Sequence, residues 1–221
     1  MQLRPHQQRA FAAMQNNNAG QIIVPTGGGK TYIMIADTYK HLRDCGPQTI
    51  VVVAPRILLA NQLCEEFMEH IHHRDVHVCH AHSGETHHFS TTKADKIALF
   101  NNTARTAGEN CIIFTTYHSL HRVVESGIDI DTIYFDEAHN GCGKHFFISV
   151  FATAQYAKRR YYFTATPKTG RGVSVARGMN NTDVYGGVLC NVPAKELIEA
   201  GAIVPPRVVP FETNRTRNKV N

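Results

Sequence analysis

Short runs of β-branched and aromatic residues alternate along this chain with longer stretches whose apolar residues recur at helical spacing. Gln21–Val24, Thr49–Ala54, Val76–Val78, Cys111–Thr115, Thr132–Phe135 and Tyr161–Phe163 read as strands. The run Thr49-Ile50-Val51-Val52-Val53-Ala54 is apolar almost throughout, the pattern of a strand covered on both faces in a parallel sheet. Helices are expected over residues 4–14, with Pro5 in the first turn, and over 30–43, 57–71, 93–103, 117–126 and 193–200, the last capped by Gly201. His145 to Ala157 is apolar on more than one face and predicts a buried helix. The polar run from His82 to Thr92 reads as a solvated loop, and Lys168 to Asn181 carries no clear pattern. Ile203 to Phe211, with three prolines, reads as extended. Strands alternating with helices at this spacing predict an α/β fold with a mostly parallel sheet and right-handed crossovers.

One junction in that pattern carries chemistry. Gln21-Ile22-Ile23-Val24 runs into Pro25-Thr26-Gly27-Gly28-Gly29-Lys30-Thr31, where a helix begins. Glycines between a strand and a helix leave room for backbone N–H groups to converge on a phosphate at the positive end of the helix dipole. Lys30 is placed to reach β- and γ-phosphates, and the Thr31 hydroxyl to ligate Mg²⁺. The full pattern Gly-x4-Gly-Lys-[Ser/Thr] wants glycine at position 24, where Val24 stands. A P-loop also needs an acidic partner at the end of a neighbouring strand. Asp136 follows the apolar strand Thr132–Phe135 and can hold Mg²⁺ through water; Glu137 can orient or deprotonate an attacking water.

Composition narrows the class without choosing a function. At 221 residues, 43% hydrophobic and 19% charged, the chain suits one large α/β domain and not a disordered one. The net charge of +5 suits a polyanionic partner without requiring one. No apolar run approaches a membrane span and the first residues have no signal-like core, so an intracellular protein, cytoplasmic or at the nucleoid or nucleus, is expected. The six cysteines are scattered, as free thiols in a reducing compartment would be. Of fourteen histidines, many crowd between His70 and His88; Cys79-His80-Ala81-His82 has ligand types, but no second cluster completes a metal site.

Taken together, the motifs resemble those of superfamily 2 helicases and translocases, and the resemblance runs along nearly the whole chain. Pro25–Thr31 is similar to their motif I, and Asp136-Glu137-Ala138-His139 spells the DEAH form of motif II. Thr164-Ala165-Thr166 is similar to motif III, which couples hydrolysis to nucleic-acid binding and faces the motif II histidine, His139. Leu3-Arg4-Pro5-His6-Gln7 resembles the entry Gln motif, in which Gln7 would read adenine with support from Arg4. Pro55, Arg56 and Gln62 fall in a segment like motif Ia, and Thr115, Thr116 and His118 in one like motif Ib; both touch the nucleic-acid backbone in the family. The start and the segment Val192–Gly201 look most like the restriction-subunit and DNA-repair translocase branch, which favours DNA over RNA.

The resemblance implies a RecA-like three-layer α/β/α P-loop NTPase that binds ATP and Mg²⁺. In the family, ATP is hydrolysed between two such domains, and the arginine that stabilises the transferring phosphoryl belongs to the second. Residues 1–211 read as the first domain, a monomer by itself, and the basic residues 212–221 as a tail or the start of a linker. Either an excised or a naturally short chain, it is expected to bind ATP–Mg²⁺ weakly, hydrolyse it slowly and not unwind duplexes. The rival reading is a non-catalytic, helicase-like interaction module. A P-loop kinase or transporter ATPase leaves Gln7 and Thr164–Thr166 unexplained. Lys158-Arg159-Arg160 reads as a solvated edge, and Tyr161 and Tyr162 as core.

Overall fold

A computed structural model describes residues 2–72 and 75–205. Eight strands form one sheet in the order β4-β3-β5-β2-β6-β7-β1-β8, and every pairing is parallel. They are β1 (Ala19–Ile23), β2 (Thr49–Ala54), β3 (Val76–Ala81), β4 (Phe89–Ser90), β5 (Asn110–Thr116), β6 (Thr132–Phe135), β7 (Arg159–Thr164) and β8 (Val188–Asn191). The helices are α1 (Pro5–Gln15), α2 (Lys30–Asp44), α3 (Ile57–His70), α4 (Ala94–Thr106), α5 (Leu120–Glu125), α6 (Lys144–Tyr156), α7 (Thr182–Tyr185) and α8 (Ala194–Glu199). The expected α/β architecture is therefore present, with the sheet parallel throughout rather than mostly.

The three layers follow from strand periodicity. In β2, Ile50, Val52 and Ala54 join one core cluster, with α1, α2, α3 and α8, while Val51 and Val53 join the other, with α4 to α7. Phe114 against Ile113, and Tyr161 and Phe163 against Tyr162, divide in the same way. A strand buried on both faces needs no polar alternation, which is why the apolar runs were the most legible elements.

The structure corrects three readings and adds a strand. β3 continues to Ala81, and His80 and His82 are buried, so the supposed solvated loop begins inside the fold. Helix α6 is only half covered: Val150 and Ala154 are buried, but Ile148 is 74% and Phe151 46% exposed. The edge strand β8 lies beyond the unpatterned stretch, where no element was expected, because its side chains are exposed or half-buried and show no apolar face. Arg159 is not a solvated edge residue. Its guanidinium grips both oxygens of the fully buried Asp37, at 2.8 and 3.0 Å, and Asp37 also accepts from the Tyr134 hydroxyl at 2.6 Å. The fork binds α2 to the sheet and keeps a buried carboxylate compensated. Tyr161 and Tyr162 lie in the core. The extended segment is described only as far as Pro205, and the tail lies outside the described residues. No helix among the described residues is long and apolar enough to cross a membrane.

Candidate nucleotide site

In a parallel sheet the carboxyl ends of all strands share one edge, where ligands gather. Strand β7 lies between β1 and β6, so this edge brings together the loops after all three. Val24 continues beyond β1, its N–H donating to the Thr164 carbonyl at 3.0 Å, and its side chain is fully buried. A glycine there would leave a hole in the core; the valine extends the strand's anchorage, and the turn begins one residue later. Gly28 N–H closes that turn on the Pro25 carbonyl at 2.9 Å. Gly29, at φ 76°, caps α2 in the left-handed region, and a Cβ there would run into the Gln7 amide.

Thr26, Gly27, Gly29, Lys30 and Thr31 line a cleft of about 430 Å³ with Gln62, Glu66, Asp136 and Glu137. Within it, Lys30 Nζ pairs with Glu137 Oε1 at 3.0 Å; the lysine side chain is 10% exposed. Burial pushes the Asp136 carboxyl up to about 6; Lys30 opposes that rise, while Glu137 and Glu66 add to it. The pocket is therefore short of positive charge, a condition that a bound cation would relieve.

Glu137 is the one non-glycine residue with positive φ among the described residues, at 45°. That conformation costs about 1–2 kcal/mol. It is held from both sides: the Tyr117 hydroxyl donates to the Asp136 carbonyl at 2.9 Å, and the Asn140 amide to the Glu137 carbonyl at 2.8 Å. The twist carries the Glu137 carboxylate to Lys30 and leaves His139 Nδ1 3.5 Å from its other oxygen. His139 Nδ1 also lies 2.9 Å from the Thr164 hydroxyl, which accepts from Thr166 N–H at 3.1 Å. Lys30, Glu137, His139 and Thr164 thus form one polar chain linking the loops after β1, β6 and β7. Ala165 is half-buried and Thr166 exposed beside it.

The start of the chain braces the loop from behind. Gln7 is 5% exposed; its amide donates to the Gly29 carbonyl at 3.1 Å, and its carbonyl oxygen accepts from Arg4 N–H at 2.8 Å. The Arg4 side chain is exposed. His6, which sequence reasoning passed over, is buried with Nε2 2.8 Å from the Gly28 carbonyl. Its place between Pro5 and Gln7 was the only available signal.

The expected nucleic-acid contacts divide. Arg56 and His118 are exposed at the ends of β2 and β5, and Pro55 is half-buried. Thr115 and Thr116 are buried: the Thr115 hydroxyl donates to the Ala81 carbonyl at 2.8 Å, and that of Thr116 accepts from Ser119 N–H at 3.3 Å. Gln62 lines the cleft that also holds Lys30 and Asp136.

With this geometry in hand, the likenesses to known proteins are specific. The sequence model of the family described as "Type III restriction enzyme, res subunit" matches residues 1–169. The chain belongs to that family. Its fold is the RecA-like motor domain of superfamily 2 helicases. A nuclease-deletion mutant of the Type ISP restriction-modification enzyme LlaGI, solved with a DNA substrate mimic, superposes with a TM-score of 0.73 at 22% identity. That match covers 91% of this chain but 21% of LlaGI. The Hef helicase domain of Pyrococcus furiosus gives 0.61 at 20% identity, covering 84% of this chain and 37% of that one. The SWI2/SNF2 ATPase core of Sulfolobus solfataricus, solved with double-stranded DNA, gives 0.53 at 24%, covering 76% and 32%. This motor domain therefore spans well under half the length of each. No curated protein matches it.

Proposed function

We propose that residues 1–211 are the first RecA-like motor domain of an ATP-dependent translocase or helicase acting on nucleic acid, with DNA favoured. What carries the reading is one cleft in which the glycine turn, Lys30, Thr31, Asp136 and Glu137 meet. Backbone N–H groups of the turn and Lys30 receive the β- and γ-phosphates. The Thr31 hydroxyl and the Asp136 carboxylate are the hard oxygen donors that Mg²⁺ prefers, and Mg²⁺ bound there would neutralise charge on the phosphate oxygens.

Glu137 has two partners to choose between. Paired with Lys30 it closes the cleft; once Lys30 turns to phosphate, Glu137 is free to orient a water and accept its proton. That water attacks the γ-phosphorus, the bond to the bridging oxygen breaks, and ADP leaves. His139 and Thr164 connect Glu137 to the motif III segment, so a shift at that segment would reach the catalytic carboxylate. Arg56 and His118, exposed on the same sheet edge, would meet backbone phosphates on this reading. The arginine that stabilises the transferring phosphoryl is assigned to a second motor domain; such an arginine is worth about 10³–10⁵ in rate, so residues 1–211 by themselves are expected to hydrolyse ATP slowly. DNA is favoured because LlaGI and the Sulfolobus ATPase core were solved with DNA or its mimic.

The test is phosphate release from ATP, measured with and without duplex DNA and RNA. Slow turnover that needs Mg²⁺ and disappears in Lys30→Ala supports the reading. Turnover untouched by that change contradicts it.

A further inference from the structure

A second cavity, of about 770 Å³, opens between α3 and the segment after β3. It is outside the phosphate cleft and within the size range of ligand pockets, about 300–1,000 Å³. Among the described residues, two buried side-chain polar atoms lack a partner, Asn61 Oδ1 and His80 Nε2. Both residues line this cavity. A buried polar atom left unpaired costs about 1–3 kcal/mol, so a ligand that pairs both atoms at this cavity gains from each.

The hydrogen bonds around them fix what each atom offers. Gly84 N–H donates to His82 Nδ1 at 3.1 Å, so His82 carries its proton on Nε2. That Nε2–H lies 2.9 Å from His80 Nδ1, which therefore accepts, and the His80 proton is on Nε2. A charged form of either ring would set two donors face to face. The Asn61 amide donates to the Glu85 carbonyl at 3.0 Å, which settles its orientation and leaves Oδ1 as an acceptor. The wall thus holds one N–H donor and one C=O acceptor, both fixed by their own supports.

This pair selects a chemistry. The His80 lone pair is engaged by His82, and no group of three or more His, Cys, Asp or Glu suited to a metal occurs among the described residues. Glu65 and Glu85 line the cavity and no lysine or arginine does, which disfavours an anion. What fits is an uncharged ring edge presenting an N–H beside an acceptor, as every nucleobase does. His88 is exposed, its ring parallel to that of buried His80 (11° apart in plane, centroids at 5.8 Å), and it offers an aromatic face.

We propose that this cavity takes an unstacked base of single-stranded nucleic acid, the base entering and the phosphates remaining outside. Strands β3, β5 and β2 are neighbours and parallel, so the cavity follows the same sheet edge as Arg56 and His118. The donor–acceptor pair stands on its own; the choice of a strand as the source rests on the nucleic-acid reading above.

Fluorescence anisotropy at low salt, with a short single strand and an all-abasic strand of equal length, separates the two claims. Removing the bases is expected to weaken binding by roughly tenfold or more. Asn61→Leu is expected to weaken the intact strand roughly fivefold and leave the abasic strand unchanged. Equal binding of the two strands, or equal loss for both in the variant, overturns the base site while sparing the motor reading. If neither strand binds, the nucleic-acid reading falls. NMR of the His80 Nε2–H signal under adenosine or cytidine then decides: a saturable shift keeps the site for a free base, and no shift ends it. That measurement uses the unaltered chain and does not depend on the variant folding.

Discussion

The two cavities on this sheet edge treat their polar groups in opposite ways. In and around the cleft proposed for phosphate, Lys30 is closed onto Glu137 and the Gln7 amide onto Gly29, while His139 is tied to Thr164. In the second cavity, Asn61 of α3 and His80 of β3 are held by supports that leave one atom of each without a partner. A site for a strongly charged ligand can afford to be closed on itself, because the incoming phosphates outcompete an internal ion pair. A site for a neutral ring cannot displace such pairs, so its groups must be left open in advance.

The largest effect that would break this contrast concerns Glu137. Glu137→Gln is expected to lower ATP turnover by about 10²–10⁴, the usual worth of a positioned general base, read as steady-state phosphate release. Turnover within a factor of two of the parent would remove Glu137 from the chemistry and make its pairing with Lys30 merely structural.

Next in size is a stability effect. Burial raises the Asp136 carboxyl to about 6 from the ordinary aspartate value of 3.8, so folding disfavours its charged form. The folded chain gains stability as pH falls from about 6 towards 4 and loses it as pH rises through 6. In metal-free buffer, Asp136→Asn should therefore stabilise the chain at pH 7, by on the order of 2 kcal/mol, and give no gain below pH 4. Thermal unfolding at the two pH values measures it; a variant less stable than the parent at pH 7 would mean that Lys30 already compensates the charge.

The smallest effect separates paired from unpaired amides. Gln7→Leu removes two made hydrogen bonds and strands the Gly29 carbonyl, so it should cost about 1–3 kcal/mol. Asn61→Leu removes one bond and one unsatisfied acceptor, and should cost less than about 1 kcal/mol. Denaturant midpoints at constant slope give both values. A larger loss at Asn61 would mean that its acceptor has a partner in solution.

These contrasts also mark how far the residues alone could be read. The parallel sheet and the motif loops were legible because β2, β5 and β6 are continuous apolar runs and the glycine turn falls between a strand and a helix. The edge strands β4 and β8 were not, since neither has a buried face to impose a pattern. Arg159 and Asp37 lie 122 residues apart, and no local signal joins them. The burial of His80 was hidden for a similar reason. A histidine-rich stretch reads as solvated until Phe114 is seen stacked against the His80 ring and His82 bonded to it. Motif letters located Lys30, Asp136 and Glu137, but that Lys30 and Glu137 hold each other had to come from the fold.

That closure gives the most direct test, isothermal titration of ATP with Mg²⁺ into the parent chain, Lys30→Ala and Glu137→Gln. Expected is saturable binding by the parent and at least tenfold weaker binding by Lys30→Ala, which loses a charge-assisted contact to phosphate. Glu137→Gln should bind roughly fivefold more tightly, because breaking a partly exposed ion pair worth about 1 kcal/mol releases Lys30 in advance. The same affinity in all three chains would contradict the assignment of this cleft to ATP.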